Sequence, residues 1–347
     1  MSMQTLALLL MTLLLSAPLR AWGAVPADRP RLTFTDALGQ QVTVRVPVRR
    51  IATNNGQVAE IICALGAAEA LVGISDHTLK HHTELLQPLK GKTTIGPSVN
   101  PSIEKIVDLQ PELVIVYDIW LSPDQLERKL APLDIPVARL NCYRLDTIRQ
   151  EIALLGKMLG KEQEAATYLQ DFEAILAMTT QRLQGLTQPV RVYAEGYSEH
   201  ITSSRLAPNH ELFALAGMVN IAADLPVPSP RVTPEWVVAA NPEVIIKAAT
   251  ATYVKMGYGS SDLSAIQKFH FALLRRPAWE QIAAVRHGRV YLIASELNSG
   301  PRLPIGLLYK AKWGHPERFQ DIDPAEVHRQ WLRRWHNQEL RGIYVYP

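Results

Sequence analysis

Two stretches of this 347-residue chain carry the same unit, and that repetition limits the folds open to it more than any other feature. Ser102 onward reads SIEKIVDLQPELVI and Thr233 onward reads TPEWVVAANPEVII, at a constant offset of 131 residues. Five of the fourteen positions are identical: Glu104/Glu235, Val107/Val238, Pro111/Pro242, Glu112/Glu243 and Ile115/Ile246. Each copy follows one physical plan. A hydroxyl residue caps a helix whose first turn carries Glu, proline stops the helix, and a continuous apolar strand follows. A strand apolar on both faces needs cover on both faces, as in a parallel sheet.

The surroundings of each copy extend the plan. A short hairpin is expected over Leu32–Val46, turning at Gly39. Strands are predicted at Arg50–Thr53, Leu71–Ser75, Leu113–Tyr117 and Pro136–Leu140. Helical spacing falls at Gln57–Leu65, Pro101–Leu109 and Pro123–Leu133. From Asp146, a candidate N-cap, helical spacing runs to Gly160 and resumes over about Lys161–Gln184. That second piece would be roughly 36 Å long at 1.5 Å per residue, the length of a rigid strut between lobes. After Pro189 the rhythm restarts, with Arg191–Glu195, His210–Ala216, Pro234–Ala240 and Val244–Ala248. The expected division is residues 1–23 as an export signal, 24–145 as a first α/β lobe, 146–186 as a helical linker and 187–347 as a second lobe.

Residues 6–15 are apolar apart from Thr12, too short a run to span a bilayer, and Ala21 with Gly23 fits a signal-peptidase site. Cleavage near Gly23/Ala24 and a periplasmic location are expected. No Cys follows the apolar run, so a lipid anchor is not. The net charge of +3 is spread without a dense Lys/Arg run, which excludes nucleic acid as the partner. Cys63 sits in an apolar helical pattern and reads as a buried thiol; whether it pairs with Cys142 stays open. GISDH from Gly73 and GYSEH from Gly196 lack the second glycine of a nucleophile elbow, and no HExxH, P-loop or GxGxxG is present. Neither an enzyme nor a resident cofactor is expected.

Taken in order, several segments resemble the extracytoplasmic binding proteins for vitamin B12, haem and iron–siderophores. They are VRRIATNNGQVAEIICALGAAEALVGIS from Val48, NPSIEKIVDLQPELVIVY from Asn100, RVTPEWVVAANPEVII from Arg231, and LNSGPRLPIGLLYKAKWGHPERFQDID from Leu297. The last looks like the iron-complex branch. The resemblance implies two Rossmann-like lobes with parallel sheets, bridged by a single long α-helix, with ligand held in the cleft between them. It also implies a monomer that delivers its ligand, most simply a ferric siderophore, to an ABC permease dimer with ATPase subunits. Glu104 and Glu235 match the family's permease-docking glutamates, one on each lobe.

Ligands of open parallel sheets bind where strands end and loops begin. In the first lobe that rule selects Asn54, Asn55, Tyr117, Trp120 and Tyr143. In the second it selects Tyr197, Arg231, Tyr253 and Arg302. Tyr and Trp offer flat area with a polar handle for a large organic chelate, and the arginines would oppose an anionic one. Ser229 stands where a B12 binder of this family would show tryptophan, which lowers cobalamin. Asp76, His77, His81 and His82 lie beside the expected cleft, and His77 with His81 has the i, i+4 spacing of a two-imidazole metal site. Solvated polar surface is the commoner use of such a loop. Haem, nickel and molybdate remain alternative ligands on the same fold.

Overall fold

The computed structural model describes residues 29–118, 123–250 and 253–347. The expected export signal and Trp120 lie outside these residues. An antiparallel hairpin of β1 (Arg31–Thr35) and β2 (Gln41–Arg45) comes first, with Phe34 opposite Val42 and both buried. The first lobe then alternates β3 (Ile51–Thr53), α1 (Gly56–Ala64), β4 (Leu71–Ile74), α2 (Asp76–His82), β5 (Thr93–Thr94), α3 (Ile103–Asp108), β6 (Leu113–Val116), α4 (Pro123–Leu130) and β7 (Val137–Arg139). Its five strands are parallel, in the order β5-β4-β3-β6-β7. Strand β6 shows why it had to be apolar throughout. Leu113 and Ile115 pack into the main core, while Val114 and Val116 pack into a second core with Ile106 and Leu130.

Two helices follow. α5 (Ile148–Leu159) ends at Gly160, whose φ of 65° breaks the helix, and α6 (Glu162–Arg182) is the strut. At 21 residues it spans about 31 Å, shorter than expected because its last turn gives way at Leu183. Asp146 does not cap α5. Its carboxylate pairs with Arg144 (2.6 Å), and the N-cap is Thr147, whose hydroxyl donates to the Glu151 carboxylate (3.3 Å) and accepts no helix amide.

The second lobe contains β8 (Val190–Glu195), α7 (Glu211–Leu215), β9 (Met218–Asn220), α8 (Pro234–Ala240), β10 (Val244–Ala249), β11 (Gly257–Tyr258), α9 (Leu263–Leu274), α10 (Ala283–Arg286), β12 (Val290–Ala294), α11 (Ser295–Asn298), α12 (Leu303–Gly314), α13 (Pro324–His336), β13 (Gly342–Ile343) and β14 (Val345–Tyr346). Its main sheet runs β14-β12-β10-β8-β9, parallel except for β14, which returns antiparallel to β12. The strut packs against α12, and Tyr168 on it meets Trp331 edge-on (4.9 Å between centroids) and Trp335 (4.7 Å) of α13. Among the described residues no helix is long and apolar enough to cross a membrane. Cys63 and Cys142 are both free thiols.

Candidate functional site

The expected site residues follow the carboxyl ends of the strands of both main sheets. In the first lobe the polar turn after β3 is spent on structure rather than on an open surface. Asn55 caps α1 through the amides of Gln57 and Val58 and donates to the carbonyls of Leu140 (2.8 Å) and Asn141 (3.1 Å). Asn54 donates to Ser98 O (2.6 Å) and accepts the amide of Tyr117 (3.3 Å). Both asparagines are buried, and their side-chain amides are occupied by these bonds.

Tyr117 follows β6 directly. It is 8% exposed, and its hydroxyl accepts from the Gly56 amide and bonds Gln57 Oε1. Burial pushes its phenol above the usual range; the Gly56 bond opposes this, and Cys142, Tyr143 and Tyr197 reinforce it. Tyr143 lies beside it, with ring centroids 6.3 Å apart, and its hydroxyl reaches Asp118 Oδ1 at 3.4 Å. Burial, then Asp118, pushes that phenol to about 12. Tyr197 of the second lobe is 47% exposed and near enough to weigh on Tyr117. Tyr117 and Tyr143 are thus neighbours in the first lobe, and the electrostatic influence of Tyr197 reaches Tyr117 from the second.

The second lobe builds its side with charge. Lys247, in β10, lies in register with Glu195 of β8, and the two pair at 3.0 Å. Arg276 grips the same carboxylate with both terminal nitrogens (2.7 and 3.0 Å). Burial works against the charge on Glu195, but Arg276 and Lys247 outweigh it and hold the carboxyl below its usual range. Tyr253, 49% exposed, has its ring 5.9 Å from Lys247 Nζ. Arg231 is exposed and donates to Glu199 O (3.2 Å), so it borders the Tyr197 loop.

Arg302 departs from its expected role. It is 1% exposed and ion-paired to Glu60 of α1, with Nε 3.0 Å from Oε1. Burial opposes the charge of Glu60, yet Arg302 and then His336 hold its carboxyl at about 2. Arg302 is thus consumed in tying α1 to the start of α12 and is not free to meet an anion. Other ties sit nearby. Asn209 accepts from the Leu145 amide and donates to Tyr143 O, both at 2.8 Å. At Gly300 (φ 90°) a Cβ would stand 2.8 Å from Gln57 Cγ, so only glycine permits that approach.

The rings of His77 and His81 are 4.7 Å apart, and His82 is 5.7 Å from His77. Among the described residues no group of three or more His, Cys, Asp or Glu is arranged to hold a metal ion. Glu104 and Glu235 occupy the same helical position in α3 and α8, after the capping hydroxyls of Ser102 and Thr233, and both are exposed. Sequence reasoning missed Lys247, Asp118 and Asn209. Lys247 alone carried a signal, a cation inside the apolar run VIIKAA.

The family profile described as "Periplasmic binding protein" matches residues 51–297. The chain is 24% identical over 328 residues to an ABC transporter substrate-binding lipoprotein of Bacillus subtilis, YvrC, covering 89% of this chain and 97% of that one. It is 30% identical over 263 residues to the vitamin B12-binding protein of Vibrio cholerae, covering 71% and 90%. The TroA-like periplasmic binding protein FepB of Veillonella parvula superposes with a TM-score of 0.77 at 20% identity, covering 91% of this chain and 99% of that one, and shares the fold. A profile spanning both sheets, together with the Vibrio relative, is carried by the whole two-lobed frame and not by one motif: the chain belongs to the periplasmic binding protein family.

Proposed function

We propose that this chain captures an iron chelate, a ferric siderophore, outside the cytoplasm and delivers it as a monomer to the membrane dimer of an ABC importer. The observation that carries this reading is the Tyr117–Tyr143 ring pair of one lobe (6.3 Å), whose Tyr117 feels the charge of Tyr197 from the other, together with the exposed Tyr253 ring beside Lys247. Wide aromatic area with phenolic handles suits a large, flat-faced organic complex better than a bare ion. Arg231 supplies an exposed cation for an anionic chelate, and Trp120 follows Asp118 by two residues in sequence. Glu104 and Glu235 are the contacts to the two permease subunits, giving orientation and partner choice.

Cobalamin is the second reading, favoured by the 30% identical Vibrio relative, whose name states that ligand. Ser229, where a tryptophan would be expected in a B12 binder, speaks against it. Native mass spectrometry of protein taken directly from the periplasm separates the two. The expected result is a mass increment of an organic ferric complex. An increment matching cobalamin, haem, molybdate or nickel overturns the siderophore assignment.

A further inference from the structure

We infer that Lys247 is the positioning residue of the second lobe's cleft face, setting the Tyr197 loop and the Tyr253 ring as one unit; this rests on the ligand site proposed above. Lys247 is 1% exposed in the middle of a strand that is otherwise apolar. Its ammonium has three donors. Four acceptors share them: Glu195 Oε1 (3.0 Å) and three consecutive carbonyls of one loop, Gly196 (2.6 Å), Tyr197 (2.9 Å) and Ser198 (3.3 Å). The same nitrogen faces the Tyr253 ring at 5.9 Å, a cation–π distance, and pairs with Glu195.

The sheet itself has no need of a lysine there. At the offset of 131 residues the matching position in the first lobe is Val116, wholly buried and apolar. Burying an ammonium is costly unless it is paired and bonded. Here its partners are Glu195 and the loop that carries an exposed tyrosine, so the burial is spent on the cleft. Glu195 would keep Arg276 after loss of Lys247, which leaves no stranded buried charge in a Lys247→Met chain. The rest of the loop is fastened independently, by the Gly196 amide to Ile201 O (2.7 Å) and by Thr202 Oγ1 to Ala194 O (2.6 Å). Lysine therefore governs the placement of residues 196–198 more than the existence of the loop.

The test uses the full chain, hydrogen exchange and titration with a ferric tris-catecholate. Lys247→Met is expected to raise amide exchange over residues 196–203, with the first lobe unchanged, and to weaken binding about tenfold or more. In a Tyr197→Ala/Tyr253→Ala background the same substitution is expected to weaken binding less than about threefold, because the side chains it acts through are gone. Equal losses in both backgrounds, or unchanged exchange over 196–203, overturn the inference. If the parent chain fails to bind the ferric complex, the siderophore reading falls, and the exchange measurement alone decides for or against Lys247.

Discussion

At the foot of its sheet each lobe makes the same bonds. The Glu112 amide donates to Arg50 O (2.8 Å) while its carboxylate accepts the Arg49 amide (2.8 Å). The Glu243 amide donates to Arg191 O (2.9 Å) while its carboxylate accepts the Arg191 amide (3.0 Å). Arg50 bonds the carbonyls of Leu109 and Gln110, just past α3, and Arg191 bonds that of Ala240, the last of α8. Gln110 and Asn241, 131 residues apart, turn the chain at φ 45° and 44°. At the tips the lobes part company. The first adds to the amides of Asn54 and Asn55 an arginine and a glutamate that do not meet: Arg139 donates to Tyr117 O (3.1 Å), and Glu151 accepts the Asn141 and Cys142 amides (2.7 and 2.6 Å). The second holds its loop with Glu195, Lys247 and Arg276. The foot must stop a helix and start a strand, one geometric problem with one solution; the tip faces the cleft, where the two sides are free to differ.

The largest effect should come from breaking the tie that joins the two halves. Glu60→Gln strands Arg302 in the interior and should cost roughly 3–5 kcal/mol in urea unfolding, whereas Glu60→Leu with Arg302→Met should cost less. The folded carboxyl sits at about 2 against an ordinary 4.5. Its stabilisation is therefore complete above the ordinary value and lost as pH falls toward 2. The stability curves of the parent and Glu60→Gln chains should converge on acidification; parallel curves would mean the pair does not hold the lobes together.

The foot offers a finer comparison. Glu112 also pairs with Arg29, whose side chain is largely buried, while Glu243 is exposed. Glu112→Ala should cost about 1–3 kcal/mol and Glu243→Ala about 1 or less by the same measurement. The reverse order would show that the repeated bonds are not equivalent.

The smallest effect on stability is expected at Glu104 and Glu235. Each changed to Ala should stay within about 0.5 kcal/mol of the parent with unaltered ligand affinity, since both side chains are exposed. Uptake in cells should fall in each and collapse in the double variant. Normal uptake by the double variant, or weakened binding in either single one, would reduce both glutamates to helix-start residues.

The sequence by itself determined the two-lobed plan, because its signals are local. Ser102 and Thr233 cap helices, Pro111 and Pro242 follow their ends, and LVIV and VIIKAA can only be buried strands. It also put Tyr117, Tyr143, Tyr197 and Tyr253 beyond the carboxyl ends of strands, where the structure has them, since a residue soon after a strand end is placed by the strand. Only the tertiary structure decided which polar residues near the cleft are already committed. Asn55 is taken by a helix cap and two carbonyls, Arg302 by Glu60 a distance of 242 residues along the chain, and Tyr143 O by Asn209. A buried charge or amide takes whichever partner the packed fold brings within hydrogen-bond reach. That partner is set by how the sheets, strut and helices assemble, which no local pattern encodes.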